Sequence, residues 1–269
     1  MPELPEVETT VRGLAPVLEG QRIARVVLNR ADLRRPFPVD LGQRLTGATV
    51  TGLSRRAKYG LIATDRDDTL IFHLGMSGRW RIDPVELGKH DHVVIETERH
   101  RLALNDARRF GSMDLVPTAE LADWPAFKAL GPEPLGPDFT AAHLVEAFKD
   151  RIAPVKALLL DQRIVAGLGN IYVCEALFLA GIMPTKPAGS IGRAKLATLV
   201  DAVREVLAAA IRAGGSTLRD YARPDGELGY FAKEWRVYGR EGAPCSCGRP
   251  VQRRVDSGRS TFYCDKCQR

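Results

Sequence analysis

No stretch of the chain approaches the run of about 18 apolar residues that a membrane-spanning helix needs. The first residues are acidic, not the basic then apolar pattern of a secretory signal, so a cytoplasmic protein with no membrane partner is expected. Repeats and low-complexity tracts are absent. Cysteine is scarce before residue 245, where only Cys174 occurs; it lies in an apolar stretch and reads as an inert core thiol. The other four of the five cysteines crowd into the last 25 residues. In a reducing compartment that clustering favours a metal over disulfides. What is present is a chain of 269 residues, 45% hydrophobic and 27% charged, long enough for two domains or for one with appendages. A net charge of +6 and a pI near 9.2 suit an anionic partner without deciding it.

Leu4, Val7, Val11, Leu14 and Leu18 recur at helical spacing and predict an amphipathic helix over residues 3–18, with Gly13 and Pro16 weakening its second half. Short β-rich runs follow at 23–28, 48–53, 59–64, 69–73, 92–97, 101–105 and 112–116, the spacing of a β-sandwich or barrel. Residues 130–138, rich in Pro and Gly, read as a linker. Beyond them the chain turns helical: Thr140 caps 141–149, Pro154 opens 155–160, a Gly167-Leu168-Gly169 turn precedes 170–180, and 190–213 is stopped by Gly214-Gly215. Residues 222–234 are polar and Gly-rich and read as a mobile loop. The fold class expected is α+β and multidomain.

Six stretches carry chemistry. In Met1-Pro2-Glu3-Leu4-Pro5-Glu6, trimming of Met1 leaves Pro2 with a free secondary amine, which titrates at roughly 7.7–8.0 and is a nucleophile near neutral pH. Its adduct with a sugar aldehyde is a cationic iminium, an electron sink beside the reacting carbon. Glu3 and Glu6 bring two carboxylates within reach; the plainer reading is a helix start, where Pro and Glu also belong. Arg55-Arg56-Ala57-Lys58-Tyr59 is a basic run entering a strand, either a solvated edge or a cationic site. The loops His73-Leu74-Gly75-Met76-Ser77-Gly78 and Asn105-Asp106-Ala107-Arg108-Arg109-Phe110-Gly111 each read as a surface turn or, together, as an apolar wedge with an Arg that fills the hole left by a flipped nucleotide. Gly167-Leu168-Gly169-Asn170 can cradle a phosphate or simply end a helix. Cys245-Ser246-Cys247 and Cys264-Asp265-Lys266-Cys267 place four thiolates in two close pairs flanking a hairpin, a tetrahedral zinc pattern; the plainer readings are a purely structural zinc ribbon or no metal at all. The hairpin tip carries Arg259, a forked phosphate donor.

Taken together and in this order, these stretches resemble formamidopyrimidine-DNA glycosylases over the whole chain, along with Lys89-His90-Asp91-His92-Val93, Leu130-Gly131-Pro132-Glu133-Pro134-Leu135 and Gly169-Asn170-Ile171-Tyr172. The resemblance implies an N-terminal β-sandwich with flanking helices (1–131), a helix–two-turn–helix domain (132–221), and a lesion-capping loop with a C-terminal β-hairpin zinc finger (222–269). It implies a nucleoid-associated monomer acting on double-stranded DNA with one structural Zn2+. Excision of 8-oxoguanine and formamidopyrimidines would be followed by cleavage on both sides of the abasic sugar. By motif position Pro2 is the nucleophile, Glu3 the acid that protonates the sugar ring oxygen, Lys58 a catalytic and phosphate-contacting cation, and Glu6 an orienting group. Met76, Arg108 and Phe110 match the void-filling residues; His73, His92, Asn170 and Arg259 match DNA contacts, and Lys156 with the 222–234 loop matches elements that close over the extruded base. The sequence departs from the family at Ala107, where Pro is usual and whose loss loosens the wedge loop. A second departure is the one-residue spacer of Cys245-Ser246-Cys247, which bears on ligand geometry. The alternatives are an endonuclease VIII-like enzyme for oxidised pyrimidines and, if Met1 is retained, an inactive zinc-bearing DNA-binding protein.

Overall fold

Helix α1, Leu4–Leu18, buries Leu4, Val7, Val11, Leu14 and Leu18 on one face. The computed structural model describes residues 2–216, 224, 226 and 229–269. The helix runs on through Gly13 and Pro16 to its full length. The weakening expected there is overridden because Leu14 and Leu18 anchor its last turns in the core. The chain divides into two compact units, residues 1–128 with 213–232, and residues 129–212 with 233–269.

In the first unit the strands are β1 (Ile23–Leu28), β2 (Val50–Arg56), β3 (Tyr59–Thr64), β4 (Asp68–His73), β5 (Arg79–Ile82), β6 (Asp91–Thr97), β7 (Arg101–Asn105) and β8 (Ser112–Pro117). Helix α2, Leu41–Leu45, lies between β1 and β2, and α3, Pro125–Lys128, follows β8. All pairings in the two four-stranded sheets, ordered β1-β6-β7-β5 and β2-β3-β4-β8, are antiparallel. Side chains of both sheets meet those of α1 in one core, where Phe72 of β4 and Trp80 of β5 stack edge to face at 5.6 Å. Gly60 is required opposite Phe72, since a Cβ there would lie 2.1 Å from the ring. Strand β5 and helix α2 carry no clear apolar period and were not expected. Both are short elements fixed by tertiary packing.

The second unit holds α4 (Ala141–Phe148), α5 (Val155–Leu159), α6 (Asn170–Leu179), α7 (Arg193–Arg212) and the hairpin β9 (Gln252–Asp256) and β10 (Arg259–Tyr263). Thr140 caps α4 by accepting the His143 amide at 3.1 Å. Helix α6 is apolar nearly all round and buried from Ile171 to Leu177, the pattern of a central helix. Gln162 staples the turns between α5 and α6: its Oε1 accepts the Gly167 amide and its Nε2 donates to the Leu168 carbonyl. Residues 130–138 are not a free linker. The Gly131 amide donates to the Gln162 carbonyl at 2.8 Å, and a Cβ on Gly131 would strike the Arg163 carbonyl at 2.6 Å, so this Pro- and Gly-rich stretch packs directly onto the turns between α5 and α6. No helix among the described residues is long and apolar enough to cross a membrane.

Candidate active site and cysteine cluster

The first residues of α1 combine both readings of the N-terminus. Glu3 is the N-cap, and a capping box closes when Glu6 Oε2 accepts the Glu3 amide at 2.8 Å. Glu6 Oε1 accepts the Ser216 amide, also at 2.8 Å. Both carboxylates are only 2% exposed, and Pro2 is buried beside them. One turn on, Glu8 accepts Arg12 and Arg55. Burial raises its pKa, but those two guanidiniums outweigh the effect and hold the carboxyl below its ordinary range.

The Arg55–Glu8 pair, 3.0 Å between Nε and Oε2, ties α1 to the β2–β3 hairpin. Arg56 pairs with Tyr59, so Ala57 and Lys58 form a two-residue turn. Ala57 takes φ of 53°, a left-handed conformation usually left to glycine, and so sets where Lys58, itself buried, stands. Tyr59 is in register with His73, whose partner on the other side is Ser112, so one end of this sheet gathers Lys58, His73 and the 105–111 loop. The His73 pKa is pushed down to about 4, by burial first and then by the charges of Lys58, Arg34 and Arg35.

Phe110 is 43% exposed, and the Arg108 guanidinium lies 4.8 Å from its ring centre, a cation–π contact. Met76 is half-buried. The two loops that carry these side chains abut: a Cβ on Gly75 would sit 2.3 Å from the Phe110 carbonyl carbon. Asp106, fully buried, joins them through the Ser77 hydroxyl and the Gly111 amide. His92, expected at the DNA surface, is 5% exposed and bonded through Nε2 to the Asp106 carbonyl at 2.9 Å, behind the loop. Sequence reasoning assigned nothing to Asp106, Ser77 or Ser216, because a buried polar hub has no periodicity to reveal it.

In the second unit Lys156 is 4% exposed. It donates to the Ser260 carbonyl at 3.1 Å and to the Thr261 hydroxyl at 2.6 Å, and that hydroxyl donates to Asp256. Burial lowers its pKa, against the pull of Cys174 and Asp256. Asn170 Nδ2 donates to the same Ser260 carbonyl at 2.8 Å, which turns its Oδ1 away from the strand. Arg259 stands exposed at the hairpin tip, where Ser257 and Gly258 both have positive φ, the two-residue turn that matches strand twist. Of the 222–234 loop, residues 222, 223, 225, 227 and 228 lie outside the described residues, and Phe231–Glu234 forms a short 3-10 turn.

The ligand atoms of Cys245, Cys247, Cys264 and Cys267 all lie within 4.8 Å of one another. Cys245 and Cys267 sulfurs are 3.8 Å apart and those of Cys247 and Cys264 3.5 Å. A tetrahedral centre with metal–sulfur bonds of about 2.3 Å requires sulfurs about 3.8 Å apart, so the one-residue spacer closes a site of the right size. Gly248, at φ of 84°, turns the chain after the first pair, with its amide on the Cys245 carbonyl. Proximity of Cys247, then burial and the other two sulfurs, pushes the Cys267 thiol up to about 12. Glu175 of α6 supports the approach to this cluster by accepting the amides of Arg236, Val237 and Tyr238 at 2.8–3.0 Å. Cys174 is a core thiol packed beneath the hairpin with Val237, Val251 and Phe262.

Residues 1–113 match the formamidopyrimidine-DNA glycosylase N-terminal domain, and residues 130–222 match the formamidopyrimidine-DNA glycosylase H2TH domain. The chain belongs to the formamidopyrimidine-DNA glycosylase family. It is 73% identical, over all of both chains, to the formamidopyrimidine-DNA glycosylase of Rhizorhabdus wittichii. Two solved glycosylase structures of Lactococcus lactis, each 36% identical, superpose over 99% of both chains. One is a complex with N7-benzyl-Fapy-dG containing DNA, with a TM-score of 0.92, and the other a complex with DNA containing an abasic site, at 0.93. Within this glycosylase family the chain thus has the expected α+β architecture, with N-terminal sheets, a helical domain and a terminal hairpin bearing the cysteine cluster.

Proposed function

We propose that the chain is a base-excision repair enzyme that removes oxidised purines, 8-oxoguanine and formamidopyrimidines, from duplex DNA and then cleaves the strand by β,δ-elimination. The observation that carries the reading is the buried capping box, which sets Pro2 at the head of α1 beside two carboxylates. The Pro2 amine attacks the anomeric carbon while Glu3 protonates the ring oxygen, and the damaged base departs. The iminium acidifies the adjacent sugar proton, so the phosphates on either side leave in succession. Glu6 holds Glu3 in place through its amide. Lys58 supplies a cation at the end of the sheet, and His73, Asn170 and Arg259 grip phosphates. Met76, Arg108 and Phe110 enter the stack as the base leaves it, and that entry offsets the few kcal/mol that unstacking costs. His92 and Lys156 act from behind, His92 under the wedge loop and Lys156 under β10. Residues 1–131 carry chemistry, 132–221 grip DNA, and 222–269 cap the lesion and bind one Zn2+, for which an all-thiolate tetrahedron is the natural donor set.

The test is borohydride reduction during reaction with an 8-oxoguanine duplex. Chain with Pro2 exposed is expected to give a covalent protein–DNA adduct, and chain retaining Met1 none, since an acylated nitrogen cannot form the iminium. No adduct from trimmed protein on any oxidised purine removes the proposal. Adducts with oxidised pyrimidines alone would shift it to the endonuclease VIII-like alternative.

A further inference from the structure

Ser77 and Asp106 connect the two loops by a route that involves no reacting group. Asp106 Oδ1 accepts the Ser77 hydroxyl at 2.7 Å, and Oδ2 accepts the Gly111 amide at 2.8 Å. With its single proton given to Asp106, Ser77 Oγ has a lone pair left, and the Arg108 amide donates to it at 3.2 Å. The backbone of Asp106 is fixed as well. Its carbonyl accepts His92 Nε2 at 2.9 Å and the Arg109 amide at 3.2 Å, and its amide donates to the His90 carbonyl at 3.0 Å. Every polar atom of this buried residue is therefore engaged, and a satisfied buried network rigidifies what it joins. The hydroxyl sits in the turn that follows Met76, and the amide it receives belongs to Arg108 itself. Arg109, at φ of 59°, holds the left-handed turn that leads to Phe110. The geometry thus locks the Met76 loop to the Arg108–Phe110 loop at one shared hydroxyl.

We infer that Ser77 and Asp106 are a positioning pair that makes the two loops a single preformed wedge, so that Met76, Arg108 and Phe110 enter the base stack together. The inference rests on the proposed roles of those three side chains. A wedge in two independent pieces would have to order itself while the base is leaving, and that ordering would slow extrusion. An ångström of misplacement costs a catalytic step up to about a hundredfold. The effect should fall on substrates with a base to extrude and spare those without one, because unstacking is the step the wedge serves.

Ser77→Ala removes the shared hydroxyl while leaving Asp106 on Gly111. Ser77→Thr keeps the hydroxyl. Single-turnover excision of 8-oxoguanine from duplex DNA and cleavage of a preformed abasic site are measured for both variants, with DNA affinity and thermal unfolding alongside. Ser77→Ala is expected to slow excision about tenfold with cleavage of the abasic site within about twofold of wild type, and with DNA affinity unchanged. Ser77→Thr is expected to restore excision. Excision at the wild-type rate in Ser77→Ala overturns the inference, as does an equal loss on both substrates or an equal loss in the two variants. The reaction itself is checked separately: wild-type chain that gives no borohydride adduct with abasic DNA overturns the chemistry and this inference together. An adduct with unchanged Ser77→Ala excision overturns the inference alone.

Discussion

At His73 the ring nitrogen Nδ1 accepts the Gly75 amide at 3.0 Å, so the proton of the neutral ring sits on Nε2. With a pKa of about 4 the ring is neutral near pH 7, and its Nε2–H can donate a hydrogen bond without carrying a charge. Burial is the main cause, and the cations around it add to the cost of a second proton. The sign of the stability effect follows. An unfolded chain protonates this histidine near its ordinary 6.5, whereas the folded chain waits until about 4. Between those values the unfolded state binds more protons, so folding stability is lost as pH falls through that window and is unaffected above it. His73→Gln, which cannot titrate, is expected to flatten the fall in thermal unfolding midpoint between pH 6.5 and 4. An unchanged slope would assign the acid sensitivity to other groups.

Among the elements, the terminal hairpin depends most on something besides its own side chains. Its apolar cluster is small, comprising Val237, Val251, Phe262 and the cysteines over Cys174, and a segment of that size folds on a metal more than on a core. Chelation is expected to release one equivalent of zinc and to abolish DNA binding, because the Arg259 tip and the Ser260 carbonyl that orients Lys156 and Asn170 belong to the same strand. Absorbance of a zinc dye together with fluorescence anisotropy of labelled duplex checks this. Full binding after zinc loss would show that the hairpin holds without its metal. The hairpin was legible in the sequence because two cysteine pairs and a turn announce it. So were β1 and β3, which run from Ile23 to Leu28 and from Tyr59 to Thr64 as their β-branched and aromatic content predicts, and β7, Arg101 to Asn105, a short apolar run between two polar ends. Strand β5, Arg-Trp-Arg-Ile, was not legible: two arginines flank its one fully buried side chain, Trp80, and it is a strand only because β7 pairs with it. The stretch at 130–138 misled for the opposite reason. Proline and glycine mark both a loose linker and a close backbone approach, and only the contact with Arg163 and Gln162 tells them apart.

Across the whole chain, the backbone leaves the first unit after Lys128, returns at Ala213 and departs again after Ala232. That return has no signature in the sequence, because Glu6 and Ser216 are 210 residues apart. The N-terminal residues are therefore placed by a segment from late in the chain. Glu6 connects the two, its oxygens accepting the amides of Glu3 and Ser216, both donors that cannot reverse. Glutamine at this position would present an amide N–H to one of them. One hydrogen bond would then become a repulsion between buried donors, a cost of about 1–3 kcal/mol. Glu6→Gln is accordingly expected to lower the unfolding free energy read from urea titration by that amount and to slow borohydride trapping on abasic DNA, since the capping box that aims Pro2 and Glu3 is strained with it. Both measurements are needed. A stability loss with full trapping would make Glu6 a structural staple only, and trapping lost at full stability would place it in the chemistry itself.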